Sequence, residues 1–344
     1  MESLTPNTGQ PRPMRRRSPK NGDLQVHIDL IDRCNLQCPT CWRGTGAQVN
    51  TTATLPLDKF REIVAKVKDE GYPNVALINW TEPFLCRNLH EYVPIVNESG
   101  MECWLSSNLS LPPNVYIPTI ISALESGVDI LWISVSGFTQ AVYEINHVGG
   151  RVDWIKENLS AIADGVQADR IKTGVWIKYL EFPYNAHEAV LWQEFGEQIG
   201  IPIDVVKADG DPKSPLLGYD GYQQFLTDQF AGAKAFDPNQ EIPPERLDVS
   251  TKICRLIADR VAIDAKGDAY LCCAFPNSEE TRIGPYTGLS EHDLLLRRIS
   301  HSFCDRCELP LRREATDADR QRVAIAIEES RKHRLANSVA TAST

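Results

Sequence analysis

The stretch Cys34-Asn-Leu-Gln-Cys38-Pro-Thr-Cys41 places three cysteines within eight residues. Three thiolates this close can wrap a loop around one face of an iron–sulfur cluster, because cysteine thiolates are the usual protein ligands of such clusters. Three ligands leave one iron of a four-iron cube without a protein partner, which suits the binding of a substrate at the metal. Zinc is the alternative, but structural zinc sites usually show pairs of CxxC knuckles.

The composition is that of a globular enzyme. The 344 residues, 42% of them hydrophobic and 24% charged, suffice for one large domain and one smaller domain. The net charge of −10 argues against sequence-independent binding of nucleic acid, which needs a basic surface. No apolar run reaches the roughly 18 residues of a membrane span. We expect a cytoplasmic protein whose ten cysteines are reduced and bind metal or act in catalysis, with a disulfide framework as the alternative.

Strand-like and helix-like segments alternate after the first twenty or so residues, as in a parallel α/β sheet. Six βα-type units are too few to close an eight-stranded barrel. The predicted strands are 24–31, 74–79, 102–106, 129–136, 172–180 and 202–206, and the predicted helices are 57–70, 88–98, 115–126, 151–163 and 186–199.

The cysteine spacing, with an apolar run before it and Trp42 after it, resembles the radical S-adenosylmethionine (radical SAM) family. The resemblance implies an open, partial barrel of six units and a SAM-binding [4Fe-4S] cluster held by Cys34, Cys38 and Cys41, with Trp42 beside the cofactor. In that family the open iron chelates SAM, and an electron from the cluster cleaves SAM to methionine and a 5′-deoxyadenosyl radical. The radical then removes a hydrogen atom from an unactivated C–H bond, so the cofactor carries the chemistry.

A segment after the second predicted strand, Trp80-Thr81-Glu82-Pro83, resembles the Gly-Gly-Glu-Pro of related enzymes, which holds the SAM amino group. Trp80 and Thr81 replace the two glycines, and the bulk of Trp80 is expected to alter the pocket wall. The resemblance implies that Glu82 and Pro83 bind the cofactor. An ordinary strand-end loop is the alternative.

Two further strand ends carry candidate cofactor-binding residues. Asn108 ends a Ser-Ser-Asn segment similar to the Thr-Asn-Gly of related enzymes. Ser134 and Ser136 lie in a segment similar to Ser-Leu-Asp-Gly, in which Ser136 replaces the common aspartate. Ligand contacts are expected at the carboxyl ends of parallel strands, although both serines could also be simple caps.

A second cysteine region lies near the C-terminus, where residues 261–273 read as a hairpin with Lys266-Gly267 in its turn. Its cysteine order resembles the auxiliary-cluster domain of radical SAM proteins, which has a longer SPASM form and a shorter twitch form. The resemblance implies the twitch form, with a closed auxiliary [4Fe-4S] site whose ligands are Cys254, Cys272, Cys304 and Cys307. Zinc fits these four thiols on chemistry alone.

Three cysteines remain outside these sets. Cys103, in a predicted strand, is expected to be a small buried hydrophobe, and Cys86 stays without an assigned role. Cys273 adjoins a predicted ligand, and its thiol can give a hydrogen atom to a carbon radical, as the resemblance to radical SAM epimerases implies. A substitute cluster ligand or an inert neighbour are the other interpretations of Cys273.

The predicted fold class is therefore α/β, a partial (β/α)6 radical SAM barrel with a small C-terminal, cysteine-rich α+β twitch-like domain. The expected divisions are a disordered arm (1–21), the barrel (22–208), a linker (209–247), the auxiliary-cluster domain (248–315), and a helix with a disordered tail (316–344).

The expected function is reductive SAM cleavage followed by hydrogen abstraction from a small polar substrate, such as a sugar, aminocyclitol or nucleoside of a specialised metabolite. Epimerisation and dehydrogenation are the two outcomes considered. A peptide maturase and a non-catalytic zinc-binding interaction module are the alternatives. The expected partners are the substrate and a flavodoxin- or ferredoxin-type reductant, with neither nucleic acid nor membrane.

Overall fold

Six parallel strands form the centre of the molecule in the computed structural model, which describes residues 24–44, 49–207, 249, 251–307 and 312–342. They pair in sequence order, so the six predicted strands and the α/β class are confirmed. The predicted arm (1–21) and linker (209–247) lie outside the described residues. The strands are β1 (Gln25–Ile28), β2 (Asn74–Ala76), β3 (Glu102–Ser107), β4 (Ile130–Val135), β5 (Gly174–Glu181) and β6 (Ile203–Lys207).

The helices between these strands pack on one face of the sheet, as right-handed crossovers between consecutive parallel strands require. Helix α1 shows the pattern, since Phe60, Ile63 and Val67 recur at helical spacing and are buried. The short helix α4 was not predicted. The helices are α1 (Leu57–Asp69), α2 (Leu89–Glu98), α3 (Pro113–Glu125), α4 (Gln140–Asn146), α5 (Val152–Gln167) and α6 (Ala189–Ile199).

The opposite face of the sheet carries a separate aromatic cluster. Trp104, Ile130 and Trp176 are buried there, and the Trp132 and Trp176 rings stack with centroids 5.3 Å apart. This face is the inner wall of the partial barrel. Its upper rim is formed by the carboxyl ends of the strands, where ligands bind in parallel α/β sheets.

The C-terminal hairpin continues the same sheet. The predicted turn is present, with Gly267 at φ 83°, a conformation that glycine adopts without strain. The first hairpin strand pairs in parallel with β1, so the small C-terminal domain shares the sheet of the barrel. The added strands are β8 (Arg260–Ile263), β9 (Asp268–Tyr270) and β10 (Arg282–Pro285).

The remaining elements surround the second cysteine region. Strand β7 (Lys252–Cys254) leads into helix α7 (Arg255–Asp259) and pairs antiparallel with β11 (Arg312–Glu314). Helix α8 (Glu291–Ile299) packs against the final helix, α9 (Asp317–Ala342).

The charged helix near 316–334 is present as α9, but it continues past the predicted end to Ala342. Its start is fixed by reciprocal hydrogen bonds between Thr316 and Asp319, which satisfy backbone groups at the first turn. The helix extends beyond the prediction because alanines and a leucine in residues 335–342 favour it despite the polar composition. No described helix is long and apolar enough to cross a membrane.

Candidate active site

The loop that carries the first three cysteines leaves the carboxyl end of β1 and is held by its own polar groups. The Cys34 amide donates to Asn50 Oδ1 at 3.0 Å, and Asn50 Nδ2 returns a bond to the Cys34 carbonyl at 3.0 Å. The Cys41 amide donates to the Cys38 carbonyl at 3.0 Å. These bonds give the loop a defined path that brings the three half-buried thiols to one region.

Arg43, which the sequence analysis did not single out, fastens this loop to the end of β2. Its guanidinium group forms an ion pair with Asp32 and donates through Nε to the Trp80 carbonyl at 2.6 Å. A third bond runs from Nη1 to Asn50 Oδ1 at 3.1 Å. Because Arg43 is buried and its charge is neutralised by Asp32, the clamp is protected from solvent.

Gly44 is a second residue that sequence reasoning missed. A Cβ at this position would lie 1.9 Å from the Cys38 carbonyl oxygen and 2.4 Å from its nitrogen. Only a residue without a side chain allows the loop to turn back against Cys38. The signal was present in the sequence as a glycine three residues after Cys41, but the close approach depends on the three-dimensional path.

Burial raises the pKa of all three thiols. The pKa of Cys34 rises to about 12, with the nearby Glu82 as a further cause. The pKa of Cys38 is raised by burial and also by the neighbouring Cys41 and Cys34, and burial raises the pKa of Cys41. Each sulfur therefore interacts with a neighbouring sulfur, and metal binding here must release protons. Such a donor set of three thiols fits three irons of a four-iron cluster and leaves the fourth iron open. Among the described residues, no group of three or more His, Cys, Asp or Glu side chains forms a ready single-ion site.

Glu82 lies where the sequence places it, at the rim after β2, but its carboxylate binds the next strand. It accepts bonds from the Ser107 hydroxyl at 2.7 Å, the Asn108 amide at 2.8 Å and the Phe84 amide at 3.2 Å. Burial raises its pKa to about 7. Pro83 begins a single 3₁₀ turn after it. A contact of either residue with SAM stays a prediction.

Asn108 is brought directly to the cysteine loop. Its Nδ2 lies 3.8 Å from the Cys34 sulfur and donates to Asn35 Oδ1 at 3.1 Å. Asn35 in turn donates to the Ser110 carbonyl at 2.8 Å. The end of β3 and the cysteine loop are thus joined through side-chain amides at the rim.

The two predicted serines of β4 have different surroundings. The Ser136 hydroxyl is fully buried and lies 2.6 Å from His147 Nδ1, and burial lowers the pKa of His147 to about 4. Ser134 is half-buried on the inner wall and pairs in register with Lys178 of β5. Ser134 therefore stands where a ligand could reach it, whereas Ser136 is committed to the protein interior.

Two tyrosines that the sequence does not mark have hydroxyl groups near the cysteine loop. Burial raises the pKa of Tyr143 on α4, and the thiols of Cys38 and Cys34 raise it further; its hydroxyl has no hydrogen-bond partner among the described residues. Burial raises the pKa of Tyr184, which follows β5, to about 12, and its hydroxyl is also unbonded within the described residues. Neither tyrosine stands in a recognisable motif, because α4 and the turn after β5 acquire their positions only in the folded chain.

Trp42 connects the cysteine loop to the C-terminal domain. Its indole nitrogen donates to the Ala274 carbonyl at 3.3 Å, and its ring lies 6.1 Å from that of Phe275. Phe275 then contacts Phe303, with centroids 4.8 Å apart. These contacts account for the burial of Trp42, and its predicted contact with the cofactor stays a prediction.

The four predicted auxiliary ligands come from three parts of the C-terminal domain. Cys254 ends β7, Cys272 follows β9, and Cys304 and Cys307 border a 3₁₀ turn in which the Cys307 amide donates to the Cys304 carbonyl at 3.3 Å. Burial raises the pKa of Cys304 to about 12, with Cys307 and Cys254 as further causes. Burial likewise raises the pKa of Cys272, with added effects of Cys273 and Cys304. A closed site held by these four thiols stays a prediction.

Cys273 lies with this second set. Its thiol interacts with Cys254, Arg260 and Arg298, and burial raises its pKa. Cys103, by contrast, is fully buried in β3, as expected for a small apolar side chain, and Cys86 is 2% exposed. The arrangement keeps a ligand role for Cys273 open beside the role of hydrogen donor.

Comparison with known proteins agrees with this geometry. Residues 28–173 match the Radical SAM superfamily. The structure of Streptococcus suis SuiB bound to S-adenosylmethionine is similar over 84% of this chain and 66% of that chain, at 15% identity and a TM-score of 0.55. The structure of SuiB bound to precursor peptide SuiA is similar over 83% of this chain and 66% of that chain, at 15% identity and a TM-score of 0.56.

BtrN, in complex with AdoMet and 2-DOIA, aligns over 84% of this chain and 94% of that chain, with 10% identity and a TM-score of 0.45. This chain spans about two thirds of the length of SuiB. No curated protein sequence matches the chain significantly. The match to the Radical SAM superfamily thus covers residues 28–173, which include the three cysteines of the first loop and the strands β2 to β4.

Proposed function

We propose that the protein is a radical SAM enzyme that reductively cleaves S-adenosylmethionine and abstracts a hydrogen atom from a small polar substrate. The observation that carries the proposal is the convergence of strand-end residues on the cysteine loop, with Asn108 Nδ2 at 3.8 Å from the Cys34 sulfur. Cys34, Cys38 and Cys41 would hold the cluster, which with SAM supplies a 5′-deoxyadenosyl radical. A flavodoxin- or ferredoxin-type protein would supply the electron.

The side chains of the rim orient what binds there. Arg43 and Asn50 fix the loop path, so the three thiols are placed before a ligand arrives. Glu82 ties the end of β2 to β3 through its carboxylate, and its backbone amide donates to the carbonyl of Arg33, next to Cys34, at 3.2 Å. The Tyr143 hydroxyl adds a hydrogen-bond donor beside the thiols.

The inner wall supports a small polar substrate. Ser134 and Lys178 lie side by side above the stacked rings of Trp132 and Trp176. Such a wall offers hydrogen bonds and a positive charge over an aromatic floor, the mix of apolar surface and few polar groups found in small-molecule sites. A sugar, aminocyclitol or nucleoside has matching hydroxyl groups and an apolar ring face.

The second cysteine set supports two outcomes. A cluster held by Cys254, Cys272, Cys304 and Cys307 would supply an electron acceptor, so that a substrate radical losing one electron and one proton becomes an oxidised product. In epimerisation, the Cys273 thiol gives its hydrogen atom to the opposite face of the carbon. The resulting sulfur radical must then gain one electron and one proton, for which the external reductant is the source.

The test is anaerobic reconstitution followed by iron, sulfide and zinc analysis and by measurement of 5′-deoxyadenosine formation under reduction. We expect about eight irons per chain, and a Cys38→Ala variant that forms no 5′-deoxyadenosine. Cys86→Ala, which removes a cysteine outside both sets, should keep both properties. Zinc in place of iron at both sites would overturn the proposal and favour a zinc-binding interaction module.

A peptide substrate is the second candidate, because the similar SuiB structure contains a precursor peptide. Candidate sugars and candidate peptides should therefore be compared for their stimulation of SAM cleavage. Stimulation by peptides alone would replace the small-molecule proposal.

Cys273→Ala separates the two chemical outcomes. Loss of inversion at the substrate carbon with retained SAM cleavage supports hydrogen donation by Cys273. Unchanged product formation removes that role, while loss of about four irons identifies Cys273 as a ligand.

A further inference from the structure

Arg298 on α8 is a buried cation in the middle of the C-terminal domain. Only 2% of the residue is exposed, and its guanidinium group donates to four backbone carbonyls. The bonds run to Leu271 at 2.8 Å, Ile257 at 3.2 Å, Leu256 at 2.7 Å and Arg260 at 2.6 Å. Those carbonyls satisfy the donors, but being neutral they do not balance the charge.

This cation lies against the second cysteine set, because its Nε binds the carbonyl of Leu271, the neighbour of Cys272, and the Cys304 sulfur lies 4.0 Å from the Arg298 carbonyl. Burial lowers the pKa of Arg298, and Tyr72, Cys272, Cys273 and Cys254 oppose this effect. Within the described residues, no carboxylate forms a salt bridge with Arg298. A buried charge without an opposing charge is strongly destabilising, so the site requires a source of negative charge.

Two other arginines with little or partial exposure each form an ion pair with a carboxylate. Arg43 is buried and pairs with Asp32. Arg313 is partly exposed and pairs with both Asp259 and Asp319, at 2.8 Å and 2.6 Å. A neutral amide could tie the carbonyls of Leu256 and Leu271 together, so a purely structural clamp explains the hydrogen bonds of Arg298 and leaves its charge unexplained.

We propose that Arg298, reinforced by Arg260 beside Cys273, is the fixed counter-ion of an anionic metal–thiolate centre held by the second cysteine set. This inference rests on the proposed function, which places a cluster there. A cluster with four thiolates carries a net negative charge that grows on reduction, and net charge is one determinant of its potential. The two arginines therefore raise the reduction potential of the auxiliary centre and make it a better electron acceptor.

The test uses the full chain with Cys34, Cys38 and Cys41 replaced by alanine, so that only the auxiliary centre remains. Iron content is measured first, and the midpoint potential is then determined by anaerobic titration with electron paramagnetic resonance. We expect Arg298→Gln to lower the reduced-to-oxidised ratio at the parent midpoint at least tenfold, equivalent to about 59 mV for one electron. Arg298→Lys keeps the positive charge, so its reduced-to-oxidised ratio at the parent midpoint should stay within threefold of the parent value.

Two further variants serve as a control for charge removal and as an alternative to Arg298→Gln. Arg297→Gln removes a charge from the neighbouring position of α8, where Nη1 donates to the Ile283 carbonyl at 3.4 Å, and should leave the ratio within twofold. Arg260→Gln loses none of the four Arg298 side-chain bonds, so it remains informative even if Arg298→Gln does not fold. Its ratio should fall at least threefold.

The outcomes distinguish the two levels of the proposal. A parent protein that binds no iron contradicts the auxiliary cluster itself, whatever the arginines do. If iron-loaded Arg298→Gln has an unchanged midpoint potential, the counter-ion role is overturned and the proposed function still stands. If Arg298→Gln does not fold, the same result for Arg260→Gln has the same meaning. The counter-ion role is also overturned if Arg298→Lys lowers the reduced-to-oxidised ratio as much as Arg298→Gln does. Geometry, and not charge, would then set the reduction potential.

Discussion

Among the described residues, the two cysteine regions differ in the ionisable groups that each buries without a salt bridge. Around the first, the carboxyls of Asp29 and Glu82 are buried, and burial raises their pKa values to about 6 and about 7. Around the second, the buried charge is that of Arg298, which faces thiols. The first region therefore offers acceptors and a clamped loop to a ligand that arrives from outside. The buried cation of the second region matches the anionic centre that we propose there.

The regions also differ in how their ligands are connected. The first set lies on a single loop, and its fixed points are the local partners Asn50 and Arg43. The second set is gathered from β7, the end of β9 and the turn after α8. A local set can be recognised from spacing, whereas a dispersed set exists only after the C-terminal domain has folded.

The largest expected effect comes from removing one ligand on either side. Cys41→Ala should lose about four irons and all SAM cleavage. Cys304→Ala should also lose about four irons, but it should still cleave SAM when no substrate is added, because the two sets share no cysteine. Iron analysis and 5′-deoxyadenosine measurement check both. If Cys304→Ala lost all of its iron, the two regions would be one folding and loading unit.

Gly44→Ala should disturb the first region alone. Its new Cβ collides with backbone atoms of Cys38, which cannot move aside as a side chain can. We expect a several-fold loss of SAM cleavage with auxiliary iron retained. The matched control is Gly288→Ala in the C-terminal domain, where a Cβ would be 3.8 Å from Pro285. SAM cleavage in Gly44→Ala equal to that of the parent would contradict the close approach.

His147→Phe should change the acid sensitivity of the first region. The pKa of His147 falls from 6.5 to about 4 on burial, so between these pH values the unfolded chain binds a proton that the folded chain does not. Stability is therefore complete above pH 6.5 and is lost as the pH falls toward 4, by up to about 3 kcal/mol. The phenylalanine keeps a ring to stack on Tyr143 but cannot titrate.

Denaturant unfolding of both proteins from pH 7 to pH 4 measures this difference. The variant should lose less stability than the parent over this interval. Burial also lowers the pKa of His27, to about 3, but His27 and the carboxyls contribute equally to both proteins. Parallel curves would show that His147 is not held neutral in the folded protein.

The smallest expected effect concerns the contact between the regions. Trp42→Phe removes the bond to the Ala274 carbonyl and keeps an aromatic ring against Phe275. Loss of a single buried hydrogen bond corresponds to about 1 kcal/mol in the free energy of unfolding. Anaerobic urea unfolding checks this. A loss above about 3 kcal/mol would mean that Trp42 supports the packing of both regions.

The parallel strands are predictable from the sequence because each is a short apolar run bounded by polar residues. Helix α4 is not, because it has only seven residues and is held by the tertiary burial of Tyr143. The pairing of β8 with β1 is not predictable either, since pairing between segments so distant along the chain leaves no local pattern. The cysteine sets could be named from order and spacing, whereas their charged neighbours could not.

Arg298 illustrates why the neighbours were out of reach. The carbonyls that it binds lie 27 to 42 residues away along the chain, and an arginine in a charged helix normally faces solvent. Only the folded structure shows that this side chain points inward. The same holds for Gly44, whose significance depends on the turn that the loop makes after Cys41.

The pairing of β1 with β8 also matters while the chain is being synthesised. Val26 of β1 pairs with Val75 on one side and with Val261 on the other, so one edge of β1 stays open until the hairpin strand leaves the ribosome. An uncovered edge beside the cysteine loop is prone to wrong pairing with other chains. We therefore expect chains truncated before residue 260 to aggregate, and expression of the intact protein to benefit from slow synthesis or a chaperone.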